Sequence, residues 1–155
     1  MVFADQHDFV NFPELTDAQL SEYGFMSPHK QITEDFEAFV VKVHDGDTVT
    51  LRTEFRDFDF PMRFGLVDAP ELSTGQAGQA SRDWLKSMVE GKDVSVKINK
   101  KNRVGKYGRL LGTLFVGGLD VTHMSESLGF TAPYFRRREG EIPNIDKELS
   151  LKKWL

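Results

Sequence analysis

Short runs of alternating apolar side chains constrain the fold of this chain more than any other feature. Three such runs lie within residues 38–66, where the turn signal Asp45-Gly46 separates the first from the second. Two more follow at residues 94–98 and 110–116. Alternation of this kind places one face of each strand in a core and the other in water. The chain is therefore expected to build an antiparallel sheet of five short strands.

Helices are expected to interrupt and to follow these strands. Residues 79–89 carry apolar side chains at helical spacing, and Gly91 ends the pattern. Residues 72–79, which are polar and contain glycine, are expected to form a loop before this helix, and two later helices are expected at 121–128 and 144–154. Five antiparallel strands with a helix after the third fit an OB-type barrel. We predict an α+β fold, mainly β, with a five-stranded OB-type barrel, about three helices and an N-terminal extension.

Residues 1–36, here called the arm, differ in charge from the rest of the chain. The arm carries seven acidic side chains and one basic side chain, Lys30, so within an overall charge of −4 the remainder is slightly basic. A short helix is expected over residues 16–22, with Thr16 as its N-cap. The arm also holds too many aromatic and aliphatic residues for a disordered tail. We predict an acidic N-terminal extension, 1–36, that packs on the domain 37–155 or on a partner.

The composition is typical of a globular protein. The length of 155 residues suffices for one domain with a sizeable core, and 39% hydrophobic and 28% charged residues are ordinary values. No apolar run is long enough for a membrane span, and the first residues lack the basic start and the apolar stretch of a signal peptide. We therefore expect a monomer with no membrane association, cytoplasmic or otherwise non-secreted unless a leader has been removed.

Carboxylates at strand ends form the first candidate site. Asp47 follows the turn signal, and Asp68 ends the apolar run of the third strand, so the two side chains come from separate strands. Oxygen ligands of this kind suit a hard cation such as Ca²⁺. Zinc and copper would favour His and Cys, and the chain has no Cys. The two aspartates are too far apart in sequence for the EF-hand loop of about twelve residues.

Further charged residues near this site suit the hydrolysis of phosphodiesters. Glu71, three residues past Asp68, is placed to act as a general base on water. Arg63 in the third strand and Arg109 at the start of the fifth offer planar cations for phosphate oxygens. The basic run 100–109 is either a solvated hairpin or a contact to a nucleic-acid backbone, and its ending at Arg109 favours the contact. A metal, a carboxylate base and two arginines together can hydrolyse a phosphodiester bond.

Four motifs occur in the order, and with nearly the spacing, of the staphylococcal nuclease (thermonuclease) family, which the chain resembles. They are Asp45-Gly46-Asp47-Thr48, Arg63 five residues before Asp68, Asp68-Ala69-Pro70-Glu71, and Lys106-Tyr107-Gly108-Arg109. The resemblance covers about residues 37–154 and implies that 37–155 is a staphylococcal nuclease-like domain with an OB-type barrel. One departure is Ala69, where the family often has Thr. The family uses the backbone carbonyl at this position, so Ala is compatible with metal binding.

The resemblance implies a Ca²⁺-dependent phosphodiesterase, an endonuclease of the thermonuclease type. Such an enzyme would cleave DNA, RNA or both with little sequence specificity and would leave 3′-phosphate ends. The implied residues bind the metal, carry out catalysis or contact the substrate. The metal site comprises Asp47, Asp68 and the Ala69 backbone carbonyl, with Asp45 orienting bound water; the catalytic residues are Arg63, Glu71 and Arg109; the substrate contacts are Lys106 and Tyr107 on a terminal phosphate and Tyr134 beside the base.

Two other classes of function stay open from the sequence. One is a catalytically silent nuclease-like module that binds nucleic acid, although intact Asp47, Arg63, Glu71 and Arg109 argue against it. The other is an interaction protein whose partner binds the acidic arm. The arm itself has two alternative roles: its acids compete with substrate for basic side chains and so restrain the nuclease, or it only covers the barrel surface.

Overall fold

The computed structural model describes residues 8–23, 27–105 and 108–133. Eight strands are present in these ranges: β1 (Phe36–Asp45), β2 (Thr48–Arg52), β3 (Phe60–Phe64), β4 (Val67–Asp68), β5 (Asp93–Lys97), β6 (Leu110–Val116), β7 (Leu119–Asp120) and β8 (Ala132–Pro133). The α-helices are α1 (Asp17–Tyr23), α2 (Gln76–Val89) and α3 (Val121–Ser127). The helix predicted over residues 144–154 lies outside the described residues. Within those ranges, no helix combines the length and the apolar character needed to cross a bilayer.

Five of the strands close into a barrel. Hydrogen bonds join them in the order β3, β2, β1, β5 and β6, and β6 returns to pair with β3. The predicted fold class, a mainly β five-stranded OB-type barrel with about three helices, is confirmed. One detail of the prediction is wrong, because β3 and β6 pair in parallel and the sheet is mixed. The segment between them includes α2 and β5, and a connection of that length permits a parallel pairing.

The alternation along each strand decides which side chains reach the core. The apolar side chains of β3 are buried, and Arg63 lies between two of them on the outer face. In β6, Leu110 and Leu114 are buried, whereas Leu111 faces outward. The register of the closing pair places Leu111 opposite Arg63. The strand pair that closes the barrel therefore carries Arg63 on its outer surface.

Helix α2 packs on the barrel through a face of small and aliphatic residues. The prediction of a loop over residues 72–79 is wrong in its second half, because a 3-10 turn at Leu72–Thr74 is followed by α2 from Gln76 onward. Glycine is unfavourable inside a helix, but packing against the barrel requires small residues here. The buried residues of α2 are Ala77, Gly78, Ser81, Leu85 and Val89.

The described part of the arm packs on the barrel. Helix α1 begins with the predicted cap: the Thr16 hydroxyl accepts a hydrogen bond from the Gln19 N–H at 3.2 Å, and Gln19 Oε1 accepts one from the Thr16 N–H at 3.0 Å. Leu15 is fully buried, and Ile32 is buried within the main hydrophobic core. The arm thus contributes side chains to the same core as the barrel strands.

Candidate active site

The turn between β1 and β2 carries the first two acidic residues of the site. Asp45 ends β1 and pairs with Thr48 at the start of β2, so Gly46 and Asp47 form a two-residue connection. The Asp45 carboxylate accepts a hydrogen bond from the Asp47 N–H at 3.0 Å. A Cβ atom on Gly46 would overlap the hydroxyl of Ser81 in α2. Glycine at this position therefore lets the turn lie directly against the helix.

Asp47 is buried, and both of its carboxylate oxygens accept hydrogen bonds. Oδ1 accepts one from the Thr48 hydroxyl, and Oδ2 accepts one from the Ala69 N–H, both at 2.9 Å. The Asp47 carbonyl also accepts a bond from the Phe64 N–H at 2.8 Å. Ala69 directly follows Asp68, the end of β4. The bond from Ala69 therefore brings together the two chain segments that carry the predicted metal ligands.

Arg63 contacts both of these predicted ligands. Its Nη2 atom bonds to Oδ1 of Asp68 and lies 3.4 Å from Oδ2 of Asp47. Its Nη1 atom donates to the carbonyls of Phe64 at 2.9 Å and Val67 at 3.4 Å. The Arg63 side chain is 15% exposed and that of Asp68 is 1% exposed. One largely buried guanidinium is therefore shared by two buried carboxylates.

The environment of Asp47 favours a positively charged partner. Burial, with the neighbouring Asp45 carboxylate as the second cause, raises the pKa of Asp47 to about 6. Arg63 and the Ala69 N–H act on this pKa in the opposite direction without cancelling the rise. The Asp47 anion is thus poorly stabilised by the protein alone, and a bound cation would stabilise it.

The donor set fits a hard divalent cation. Asp47 and Asp68 supply carboxylate oxygens, the Ala69 backbone offers a carbonyl, and water can complete the coordination. In residues 8–23, 27–105 and 108–133, no group of three or more His, Cys, Asp or Glu residues is placed to hold a metal ion. The candidate site consequently relies on two side chains plus backbone and water. Such oxygen ligands suit Ca²⁺ or Mg²⁺ better than zinc or copper.

Glu71 follows Asp68 by three residues and precedes the 3-10 turn. Its side chain is exposed, which leaves the carboxylate accessible to water. Its backbone is tightly packed: a Cβ atom on Gly78 would overlap the Glu71 carbonyl oxygen and lie 2.8 Å from the carbonyl carbon. Gly78 therefore sets the position of the Glu71 backbone relative to α2.

Gly78→Ala is expected to lower the free energy of unfolding by about 1–3 kcal/mol, because the added methyl group displaces the Glu71 backbone. Gly65→Ala is the matched control, since a Cβ atom there would meet only the Leu111 Cβ at 3.7 Å, an ordinary contact. The control should be neutral or slightly stabilising. Urea denaturation measures both variants, and equal stabilities would contradict the close packing of Glu71 on α2.

Arg109 lies next to the strand pair that carries Arg63. It directly precedes β6, and Leu111, two residues further on, pairs with Arg63. Its carbonyl accepts a hydrogen bond from the Gly105 N–H at 2.8 Å. Its side chain makes no ion pair with the part of the chain that the structure describes. The predicted substrate contacts lie outside the described residues; they are Lys106, Tyr107 and Tyr134.

The sequence matches a model of the family described as staphylococcal nuclease homologue over residues 61–142, more than half of the chain. The chain belongs to the staphylococcal nuclease family. The matched segment of this family member includes Arg63, Asp68, Glu71 and Arg109. Four charged residues of the candidate site therefore lie within the matched segment, whereas the turn that carries Asp45 and Asp47 precedes it.

Relatives of this staphylococcal nuclease-family chain include named endonucleases. An uncharacterized endonuclease of Escherichia coli O157:H7 and one of Escherichia coli are each 37% identical over 98 residues, which is 61% of this chain and 59% of theirs. An uncharacterized protein of Bacillus anthracis is 25% identical over 96 residues, which is 59% of this chain and 44% of its own length. The matches thus span less than two thirds of the length of these relatives.

The staphylococcal nuclease-like motifs do not reveal the small residues that support the site. Ser81 donates a hydrogen bond to the Phe130 carbonyl at 2.7 Å, and it lies directly against Gly46. The sequence does contain a signal for this packing, because Ala77, Gly78 and Ser81 share one helical face. The turn with Asp47 and the backbone of Glu71 both rest on this face.

The position of Arg103 in this family member differs from the role predicted from the sequence. Arg103 belongs to the basic run 100–109, for which contact with a nucleic-acid backbone was favoured. The structure instead buries its side chain, which is 3% exposed and bonded to the arm. The prediction is therefore wrong for Arg103. Its guanidinium binds acidic and carbonyl groups of the arm, which is far away in sequence.

Proposed function

We propose that this chain is an endonuclease that hydrolyses phosphodiester bonds of DNA, RNA or both with little sequence specificity. The observation that carries the proposal is the Arg63 guanidinium shared by the buried carboxylates of Asp47 and Asp68, with Arg109 two residues before Leu111, the strand partner of Arg63. Membership of the staphylococcal nuclease family and the names of the Escherichia coli relatives support the same activity. A site that binds phosphate oxygens contacts the nucleic-acid backbone, which has the same chemistry at every nucleotide. Such a site is therefore expected to show little sequence specificity.

Ca²⁺ is the proposed cofactor of this nuclease. Asp47, Asp68 and the Ala69 carbonyl would hold it, and Asp45, which accepts a bond from the Asp47 N–H, would orient water at the site. When bound, the cation polarises the phosphate and neutralises part of its charge. The proposed position is buried and offers oxygen donors. Burial raises the pKa of Asp47, so a bound cation would stabilise its carboxylate form.

Arg63 has two alternative sets of partners in the proposed reaction. In the structure its guanidinium binds the carboxylates of Asp47 and Asp68. A substrate phosphate offers acceptors of the same kind, and a planar guanidinium can bind two phosphate oxygens at once. We infer that Arg63 exchanges these carboxylates for the phosphate of the substrate. Arg109, which has no ion-pair partner in the described ranges, binds the same phosphate from its position just before β6.

Glu71 is the proposed general base. Its exposed carboxylate takes a proton from the attacking water, and the water oxygen forms a new bond to phosphorus. The bond between phosphorus and the 5′ oxygen breaks, and the leaving oxygen takes up a proton from solvent water. Arg63 and Arg109 stabilise the negative charge that the transition state adds to the phosphate oxygens. The products are a 3′-phosphate end and a 5′-hydroxyl end.

Glu71→Gln is expected to reduce the single-turnover rate of cleavage by about 10²-fold, because glutamine keeps the size of the side chain but cannot take up the proton. The affinity for substrate should change little. Glu54→Gln, which makes the same chemical change at another exposed position, is the control and should match the wild type. Cleavage of a fluorescent single-stranded DNA at saturating Ca²⁺ measures the rates. A Glu71→Gln rate within a few-fold of the wild type would reject Glu71 as the base.

A further inference from the structure

A buried ion cluster fastens the arm to the barrel. It consists of Glu14 from the arm, Arg56 from the connection between β2 and β3, and Arg103 from the connection between β5 and β6. Glu14 Oε1 lies 2.5 Å from Arg56 Nη2, and Glu14 Oε2 lies 3.8 Å from Arg103 Nη2. All three side chains are at most 3% exposed. Charges buried in this way fix geometry strongly, because separating them would leave each one unpaired.

The arm surrounds the guanidinium of Arg103. Nε and Nη2 both donate to the Ile32 carbonyl, at 2.8 and 2.6 Å. Nη1 donates to the Leu15 carbonyl at 3.2 Å and to the Asp17 carboxylate at 3.0 Å. Two separate stretches of the arm, one at the start of α1 and one just before β1, therefore meet at a single side chain of the barrel.

Arg103 belongs to the same local structure as Arg109. Its carbonyl accepts a hydrogen bond from the Leu111 N–H at 2.8 Å, and the Arg109 carbonyl accepts one from the Gly105 N–H at 2.8 Å. The Gly108 N–H in turn donates to the Gly105 carbonyl at 3.0 Å. Residues 103–105 and 108–111, here together called the phosphate turn, are thus cross-linked by their own backbone. A constraint on Arg103 consequently acts on the segment that carries Arg109.

A second contact of the arm reaches the phosphate turn next to Arg109. Gly108 has a φ of +79°, and a Cβ atom at this position would lie 2.9 Å from the Phe12 Cβ and 3.0 Å from the Phe12 Cδ1. Phe12 is 38% exposed, so more than half of its surface is covered. The arm therefore touches the phosphate turn at Arg103, where the turn begins, and at Gly108, the residue before Arg109.

Four of the seven acidic side chains of the arm make contacts within the described residues. Glu14 and Asp17 bind Arg103, Asp35 accepts a hydrogen bond from the Ile98 N–H at 2.8 Å, and Asp8 accepts bonds from the N–H groups of residues 10 and 11. Glu14, Asp17 and Asp35 thereby anchor the arm to the barrel, whereas the contacts of Asp8 lie within the arm. This arrangement disfavours the alternative in which the arm restrains the nuclease by competing for phosphate-binding cations.

We propose that the arm positions Arg109. Glu14 and Phe12 hold the phosphate turn from two sides, so that the guanidinium of Arg109 points at the scissile phosphate. Glu14, Arg103 and Phe12 are then positioning residues, and none of them touches the substrate. The inference rests on the proposed nuclease function, since it gives Arg109 a substrate phosphate to bind. A purely structural role of the arm would make no such demand. In the positioning role, the effect of the arm on cleavage depends on the presence of Arg109.

A double-mutant cycle tests this pathway. Arg103→Met should lower the single-turnover rate of the folded protein by about 10- to 100-fold, because a small misplacement of a catalytic group is costly. In an Arg109→Lys background the same substitution should cause little further loss. Arg52→Met is the control: it removes an exposed guanidinium whose partner is Asp59 and leaves the bonds between Arg103 and the arm in place. Its rate per folded molecule should stay near that of the wild type, with fraction folded taken from near-UV circular dichroism.

Phe12→Ala provides a second variant that spares the buried ion cluster and so folds even if Arg103→Met does not. It should lower the cleavage rate several-fold, again only when Arg109 is present, and Val10→Ala, at a position that is 87% exposed, should not. Hydrogen exchange supplies a readout that does not depend on activity. The N–H groups of Gly105, Gly108 and Leu111 should exchange faster in Phe12→Ala and Arg103→Met than in the wild type.

The outcomes separate the two proposals. Rate losses of equal size with Arg109 and with Lys at this position would overturn the positioning role, while the nuclease function would stand. A wild-type protein that fails to cleave would overturn the nuclease function, and the exchange data would then decide about the arm. Unchanged exchange of the three N–H groups in both variants would overturn the claim that the arm holds the phosphate turn.

Discussion

Asp68→Asn is expected to reduce Ca²⁺-dependent cleavage by about 10³-fold or more, because the metal contributes several kcal/mol to the stabilisation of the transition state. The Asp68 side chain is 1% exposed and its carboxylate is one of two that share Arg63. Asparagine keeps the volume and one oxygen but removes the charge that a hard cation requires. Asp47→Asn should have the same effect, whereas Asp93→Asn, an exposed change on β5, should leave the rate unchanged.

A thermal shift on adding Ca²⁺ provides a measurement without substrate. A ligand that binds only the folded state stabilises it by about 2.7 kcal/mol at 100 times its dissociation constant. Adding Ca²⁺ should therefore raise the melting temperature of the wild type and of Asp93→Asn. It should not raise the melting temperature of Asp68→Asn or Asp47→Asn. In the presence of chelator the Asp68→Asn variant should remain folded, because Arg63 still has the carboxylate of Asp47. A Ca²⁺-induced shift retained in both site variants would refute the assignment of these ligands.

Arg63→Lys and Arg109→Lys should each lose about 10²- to 10³-fold in turnover, because lysine keeps the charge but lacks the planar pair of donors. Their effects on stability should differ. Arg63 also donates to the carbonyls of Phe64 and Val67 and binds two carboxylates, so its replacement should cost about 1–3 kcal/mol of unfolding free energy. Arg109 makes no ion pair within the described ranges, so its replacement should leave stability almost unchanged.

Arg52→Lys is the matched control for both arginine variants. Arg52 binds the Asp59 carboxylate through Nε and Nη2 at 2.9 and 3.0 Å, and its side chain is 58% exposed. An exposed pair of this kind contributes little to stability, so the control should retain wild-type turnover and melting temperature. Turnover of Arg63→Lys and Arg109→Lys within a few-fold of this control would show that neither arginine binds the phosphate in the transition state.

The barrel strands could be predicted because their burial follows the local alternation of the sequence. In β3, for example, every second residue is buried, as the pattern requires. The direction of the closing pair could not be predicted in this way, since it depends on how β3 and β6 meet across an intervening helix and strand. The start of α2 was missed for a related reason. Gly78 is a poor helix former, and its presence is explained only by the approach of the Glu71 carbonyl.

The charged residues of the site could be found from motif order, but their partners could not. The sequence gives Asp47, Arg63 and Asp68 separate roles, with the acids on metal and the arginine on phosphate. The structure joins them through one guanidinium, an arrangement that reflects three-dimensional proximity of buried charges. Arg103 shows the same limit, because a pairing with Glu14 across most of the chain leaves no local pattern.

Digestion of plasmid DNA and of RNA by the wild-type protein, followed by analysis of the product ends, tests the proposed Ca²⁺-dependent nuclease activity most directly. Parallel reactions contain Ca²⁺, Mg²⁺ or an excess of chelator. We expect cleavage with Ca²⁺, no cleavage with chelator, and products that carry 3′-phosphate and 5′-hydroxyl ends. Cleavage undiminished by chelator, or products with 3′-hydroxyl and 5′-phosphate ends, would contradict the proposed Ca²⁺-dependent reaction.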